Sequence, residues 1–348
     1  MDYHEIDRKL CEIGKQIRVI FAVNPLNLEE EKKKVFQDNG YNPQFEYGEL
    51  EFNPGELKEE LNSLGFDDSV LGRIFNAKRN DLIKEIEICE NIGKDGFTTA
   101  SIKMHSKPEK GTVELARKDL AGVGFDEENM EFDAVEVQKK FREHLKKYGL
   151  DNDVRLVDST ASNVMVERGV VFLRKDLKIS RQRLVSVIRH EIDCHVLRAE
   201  NGSIQKFMIF REGFPGYLET EEGLAIYLVN QLGLKIKRVF FPQIRAILVG
   251  MALEKSFSEI FKEALKYGFL KEDAWELCSR IKRGLKDTSR PGAFTKDAIY
   301  YSGYLKVRNF LKSNPIEDLY YGKISIESLP DVRQIEGLKE PKLLPERG

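Results

Sequence analysis

The sequence predicts an α+β protein, mainly helical, with a small, largely antiparallel sheet beside one apolar helix that carries paired histidines. Three observations support this reading. Apolar residues recur at helical spacing over most of the chain. The clearest alternating β-branched runs are concentrated between residues 154 and 174. His190 and His195, two of only five histidines, are interleaved with Leu184, Val187, Ile188, Ile192, Val196 and Leu197.

The elements follow in order. Ile6, Leu10, Ile13 and Ile17 mark a helix over residues 4–20, which Asn24-Pro25 ends. Asn27 followed by Glu30 predicts a capping pair for a second helix, and Asn53-Pro54 starts another. Between them, residues 40–55 form an ordered loop bearing Tyr41, Phe45 and Tyr47. Residues 1–66 are thus read as an N-terminal helical and loop extension packed on the core, with the main domain at 67–348. That domain opens with a long amphipathic helix over 67–92. Thr98, Thr99 and Ile102 predict a strand at 97–105, and helices follow at 111–121 and 133–148. Strands are expected at 154–158, 164–167 and 170–174, the last two joined in a hairpin at Arg168-Gly169. Ser180 caps the histidine helix and Gly202 closes it. Residues 203–219 read as a long irregular connection, of a length often reserved for function. Helix returns at 220–233, then at 242–255, 257–267, 271–285 and 296–313, and the tail at 340–348 is expected to fray.

Bulk composition excludes several classes. With 56 basic and 58 acidic residues the formal charge is −2, which gives no electrostatic reason to expect nucleic acid or an anionic membrane. No apolar stretch is long enough to span a bilayer, and the first ten residues lack a signal-peptide core. The four scattered cysteines form no CxxC pair and read as reduced, buried thiols. A cytoplasmic protein is expected.

The histidine run is His190-Glu191-Ile192-Asp193-Cys194-His195, an HExxxH string one residue longer than the HExxH of many zinc peptidases. Five residues of regular helix turn through roughly 500°, leaving the imidazoles about 140° apart. A π-type turn would absorb the extra residue and bring both rings to one face, so irregular helix geometry is predicted between His190 and His195. Downstream, Glu221-Glu222-Gly223 opens a further helix. Zinc takes three protein ligands and keeps one position for water. His190 and His195 would give nitrogens and Glu222 an oxygen, with Glu191 as the base that takes the water's proton. Glu222 is preferred to Glu221 because a glutamate directly before Gly resembles the carboxylate position of other zinc peptidases. Glu221 then stands behind the ligands, and Asp193 is a candidate acceptor for a ligand imidazole. A Cys194 thiolate is a lesser alternative.

At these residues the chain resembles the metallopeptidase-like family of the microtubule-associated tyrosine carboxypeptidases and the flavohaemoglobin expression-modulating QEGLA motif proteins. The matching pieces are the HExxxH string, Asn201-Gly202, Thr220-Glu221-Glu222-Gly223-Leu224-Ala225, and the run from Phe294 through Tyr300-Tyr301 to Gly303. Asn24-Pro25-Leu26-Asn27 and Phe45-Glu46-Tyr47 are similar to the family's N-terminal region. The first letter of the QEGLA motif is Glu221 here, a departure from the family pattern. The resemblance implies a gluzincin-like zincin hydrolase, with Zn2+ on His190, His195 and Glu222 and with Glu191 as catalytic base. It further implies a metalloprotease acting as a carboxypeptidase on a peptide or protein C-terminus. Eukaryotic relatives remove a C-terminal tyrosine from tubulin; this chain carries no long low-complexity extension like theirs.

A carboxypeptidase must hold a free carboxylate, which arginine or lysine does best. Lys296 in the third motif, Arg290 before Pro291-Gly292, and Arg198 three residues after His195 are the candidates. Tyr300 is the first candidate to steady the developing oxyanion, with Tyr217 also able to reach substrate. Two other readings stay open: a zinc amidohydrolase acting on a small non-peptide amide, and a regulatory protein that keeps the peptidase scaffold without turnover.

Overall fold

Local signals set many helix ends. Asn53, Ser69, Asp133, Ser180 and Ser256 each accept backbone N–H groups from the turn that follows them. The computed structural model describes residues 2–158, 163–167 and 169–346. In chain order its helices are α1 (Tyr3–Gln16), α2 (Val19–Ala22), α3 (Leu28–Gln37), α4 (Pro54–Ser63), α5 (Val70–Glu90), α6 (Phe97–His105), α7 (Lys110–Leu120) and α8 (Ala134–Lys147). After the sheet come α9 (Arg181–His190), a π-helical turn (Glu191–Val196) and α10 (Leu197–Ser203). The chain continues through α11 (Ile209–Glu212), α12 (Tyr217–Asn230), α13 (Phe241–Ala252), α14 (Phe257–Lys266), α15 (Lys271–Lys282), α16 (Ile299–Phe310) and α17 (Leu329–Val332). Among the described residues no helix is long and apolar enough to cross a membrane.

The β structure is small, as expected, and divides into a two-stranded and a three-stranded sheet, the larger with mixed pairing. Strand β1 (Phe132–Asp133) pairs antiparallel with β5 (Lys178–Ile179). Strands β2 (Val154–Val157), β3 (Val164–Glu167) and β4 (Val170–Arg174) lie in the order β2-β4-β3. β3 and β4 pair antiparallel, with Glu167 opposite Val170. Arg168 of the expected turn lies outside the described residues. β2 and β4 run parallel, because the chain passes outward through β3 before returning between the two. The sheet and α8 share one apolar cluster with α9 and with Ile192 and Val196 of the π-turn. Cys194 and Leu197 face the opposite cluster, built from Leu224, Ala225 and Leu228 of α12 with Val307, Leu319 and Tyr320. The histidine segment is therefore wedged between two cores.

Several expectations are corrected. Residues 97–105 form helix α6, not a strand. Phe97, Ala100 and Ser101 share its buried face, and Ser101 Oγ accepts the Thr295 N–H at 2.8 Å. These tertiary contacts outweigh the β preference of Thr98, Thr99 and Ile102. Asn27 does not cap α3. Its amide donates to the Gln44 carbonyl at 2.8 Å and its oxygen accepts from the Glu46 N–H, so it fastens two stretches of loop together. Gly202 lies inside α10, where a Cβ would stand 2.3 Å from the Phe210 carbonyl oxygen. The connection after α10 holds the short helix α11, and α12 begins at Tyr217, so Glu221 and Glu222 lie in its second turn. The tail is held as far as its hydrogen bonds reach. The Asn201 side chain accepts from the Lys342 and Leu343 N–H groups and donates to the Leu343 carbonyl, and the Glu346 N–H donates to the Tyr148 hydroxyl. The last two positions of the expected frayed tail, 347 and 348, lie outside the described residues.

α12 and α16 cross at two glycines. A Cβ on Gly223 would lie 2.2 Å from the Gly303 carbonyl carbon, and one on Gly303 would lie 2.1 Å from the Glu219 carbonyl oxygen. This approach sets where Glu222 and Tyr300, three residues before Gly303, stand relative to each other. Gly223→Ala should force the helices apart and cost about 1–3 kcal/mol, read by urea denaturation.

Candidate functional site

The π-turn does what the spacing requires. The ring centroids of His190 and His195 lie 4.9 Å apart, and the Leu197 N–H reaches back to the Ile192 and Cys194 carbonyls. α12 brings Glu222 to the same place. Glu222 Oε2 is 3.5 Å from His190 Nε2 and 3.9 Å from His195 Nε2. One ligand atom from each of His190, His195 and Glu222 falls within 4.8 Å of the others, so these three side chains could hold a metal ion. Glu222 Oε2 is buried and has no hydrogen-bond donor. An orphaned carboxylate oxygen between two imidazoles is what a divalent cation would satisfy, so the donor set fits zinc.

Glu221 stands behind His195, with its Oε1 3.3 Å from Nδ1. Lys323 Nζ at 3.6 Å and Arg198 Nη1 at 3.9 Å surround the same oxygen. Burial alone would raise the Glu221 carboxyl, but Lys323, His195 and Arg198 together hold it well below the usual range. Glu222 is likewise held low against burial, by His190, His195 and Lys296. Glu191 is different: burial pushes its carboxyl up to about 7, with His190 opposing and Glu222 reinforcing.

These groups line one cavity of about 450 Å³. Glu191, Tyr217, Lys296 and Tyr300 all face it. Lys296 Nζ lies 5.2 Å from the centre of the Tyr300 ring, and Arg245 stands 4.9 Å from that ring. Two expected carboxylate binders are not there. Arg198 is fully buried and donates to the Leu319 and Ile324 carbonyls, bracing the loop that carries Lys323. Arg290 is exposed and pairs with Asp287 and Asp95. Asp193 serves neither ligand imidazole. It accepts from His144, Tyr148 and Arg189, and neither it nor any of these three lines the cavity. Cys194 donates to the Glu221 carbonyl rather than facing the site.

Other cations on the cavity wall are not singled out by the sequence: Lys178, Arg183, Arg238, Arg245, Arg280, Arg283 and Lys323. Arg238 is paired with Glu276, and Arg280 with Asp297. Arg183 and Arg283 form no ion pair among the described residues; Arg183 donates to Ser186 and Arg283 lies over the Phe294 ring. Burial and the neighbouring guanidiniums lower both, each to about 10. Arg183 is within reach of a sequence signal, since it precedes His190 by seven residues on one helix face. Nothing local marks Arg283 or Lys323.

The class is thus a mainly helical protein with a candidate metal-binding hydrolytic centre set in a cation-lined cavity. A sequence model of the family described as microtubule-associated tyrosine carboxypeptidase matches residues 34–347, and the chain belongs to that family. It is similar to microtubule-associated tyrosine carboxypeptidase 1 of Mus musculus, at 27% identity over 90% of this chain and 62% of the relative. The Rattus norvegicus protein of the same name is 28% identical over 90% of this chain and 62% of its own. The Homo sapiens protein gives 27%, 90% and 61%. The chain spans about three fifths of the length of these curated relatives.

In metal-free protein the Glu191 carboxyl should titrate near 7 by carbon NMR, far above an ordinary glutamate. The sign for stability follows. A raised native pKa favours the folded state below the unfolded value and loses that contribution as pH rises through 7. Glu191→Gln should therefore make the metal-free protein more resistant to urea at pH 8, with little change at pH 4.

Proposed function

We propose that this chain is a zinc-dependent carboxypeptidase of gluzincin type, removing a C-terminal residue from a peptide or protein. The observation that carries the reading is the convergence of His190, His195 and the donorless Glu222 oxygen in a cavity whose wall holds guanidiniums without carboxylate partners among the described residues. Family membership and the relatives' name support the carboxypeptidase class, and that name makes tyrosine the first residue to try.

Each side chain has a task. His190, His195 and Glu222 would hold the zinc, which when bound supplies Lewis acidity to lower a water's pKa and polarise the scissile carbonyl. Glu191, with its raised pKa, takes a proton from water once ionised and returns it to the leaving amine. Glu221, with Oε1 3.3 Å from His195 Nδ1, would favour the imidazole tautomer that leaves Nε2 towards the cavity. Tyr300 stands on the cavity wall as donor to the developing oxyanion. Lys296, Arg183 and Arg283 are the cations available for a terminal carboxylate, in place of Arg198 and Arg290. Met165 and Val166 of the outermost strand β3 line the same cavity, an arrangement suited to an extended peptide rather than a small amide.

The test is a panel of peptides ending in different residues, each with a free or an amidated terminus. Zinc-loaded protein should release one residue from free-ended peptides only; cleavage of both forms would exclude exopeptidase action, and cleavage of neither would exclude the reading. Glu191→Gln should keep its zinc and lose roughly 10²–10⁴-fold in kcat. Arg283→Ala should raise KM for free-ended peptides by about tenfold or more with kcat nearly unchanged, in steady-state assays.

A further inference from the structure

A π-turn carries a geometric cost that this chain meets with a specific device. In an uninterrupted α-helix the Leu197 N–H would bond the Asp193 carbonyl, four residues back. Here it goes to the Ile192 and Cys194 carbonyls and passes Asp193 by. The bypassed carbonyl accepts the phenol of Tyr320, at 2.7 Å. Tyr320 is wholly buried and comes from the loop after residues 316–319, far away in sequence.

The side chain of the same residue is held as firmly. Asp193 is fully buried, and its Oδ1 accepts from His144 at 2.7 Å and from the Tyr148 hydroxyl at 3.0 Å. Its Oδ2 accepts from Arg189 at 2.6 Å, a pair that spans the widened turn from its entrance. One residue thus takes four partners on three separate pieces of chain: the end of α8, α9 and the Tyr320 loop. None of the four lines the cavity that His190 and His195 face.

We propose that Asp193 and Tyr320 form a clamp that holds the segment in its π conformation and so keeps the two imidazoles on one face. They are positioning residues; neither touches the metal-ligand atoms. Without the clamp the segment can recover regular α-helical bonds, Leu197 N–H to Asp193 carbonyl, and the rings separate towards the roughly 140° of a regular helix. The consequence for metal binding rests on the function proposed above, whereas the consequence for backbone geometry does not.

The experiment uses the full chain and the variants Tyr320→Phe, which removes one hydroxyl, and Tyr148→Phe, a milder loss at the rim of the clamp. Tyr301→Phe is the control, because it removes an equally buried phenol, bonded to Asp119, away from the turn. In metal-free protein, amide hydrogen exchange over residues 191–198 should speed up at least about tenfold in Tyr320→Phe, by less in Tyr148→Phe, and not in Tyr301→Phe. The zinc dissociation constant should rise at least about tenfold in Tyr320→Phe, with an altered visible spectrum of the cobalt(II)-substituted protein. Unchanged exchange and an unchanged spectrum in Tyr320→Phe would overturn the proposal. If Tyr320→Phe does not fold, Tyr148→Phe decides by the same two readouts. Should wild-type protein bind no zinc, the proposed function fails, and the exchange data still decide the clamp.

Discussion

Two imidazoles five residues apart cannot share the face of a regular α-helix, and that single constraint organises the molecule around the site. The chain resolves it by inserting one residue's worth of extra turn at Glu191–Val196. Everything packed around the segment is consistent with keeping it there. Ile192 and Val196 enter one apolar cluster and Cys194 and Leu197 another, so rotation of the turn would expose groups on both sides. α12 then delivers Glu222 at a fixed height, because Gly223 lets it touch the backbone of α16.

The motifs quoted from the sequence make structural sense through one another. Asn27 fastens residues 44 and 46, while Tyr47 donates to the Leu285 carbonyl and accepts from the Gly284 N–H. Asn201 secures the segment at 342–343, and Gly202 admits the Phe210 carbonyl. Thr220 accepts from the Ile326 N–H, and Glu219 receives Ser302 and Lys306 from α16. Residues that look scattered along the sequence are largely those that fix one backbone against another.

What is legible in the sequence divides along physical lines. Helix existence, the N-caps at Asn53 and Ser180, and the need for a widened turn all follow from spacing within a few residues, and the structure has them. Signals that depend on a distant partner mislead. Thr98 and Ile102 favour a strand in isolation, but Ser101 meets Thr295 across nearly two hundred residues. Arg198 is close to His195 in sequence, yet its helix position aims it at the Leu319 and Ile324 carbonyls. Arg283 at the end of α15 and Lys323 in a distant loop reach the cavity only through the assembled fold, which alone reveals them. Asp193 has the chemistry of an imidazole's acceptor, but the imidazole it meets is that of His144, supplied by α8 from about fifty residues away in sequence.

The grip of Tyr47 on residues 284 and 285 has a further meaning, because Arg283 is the next residue back. Under the proposed function, the early loop would buttress the wall that meets the incoming chain end, and it lies outside the helices that carry His190, His195 and Glu222. That reading would assign catalytic power and selectivity to different stretches of polypeptide. On the same reading, drift in the loop around Tyr47 would retune which termini are accepted while leaving bond-breaking competence intact, so one scaffold would be diversified towards new targets from its periphery inward.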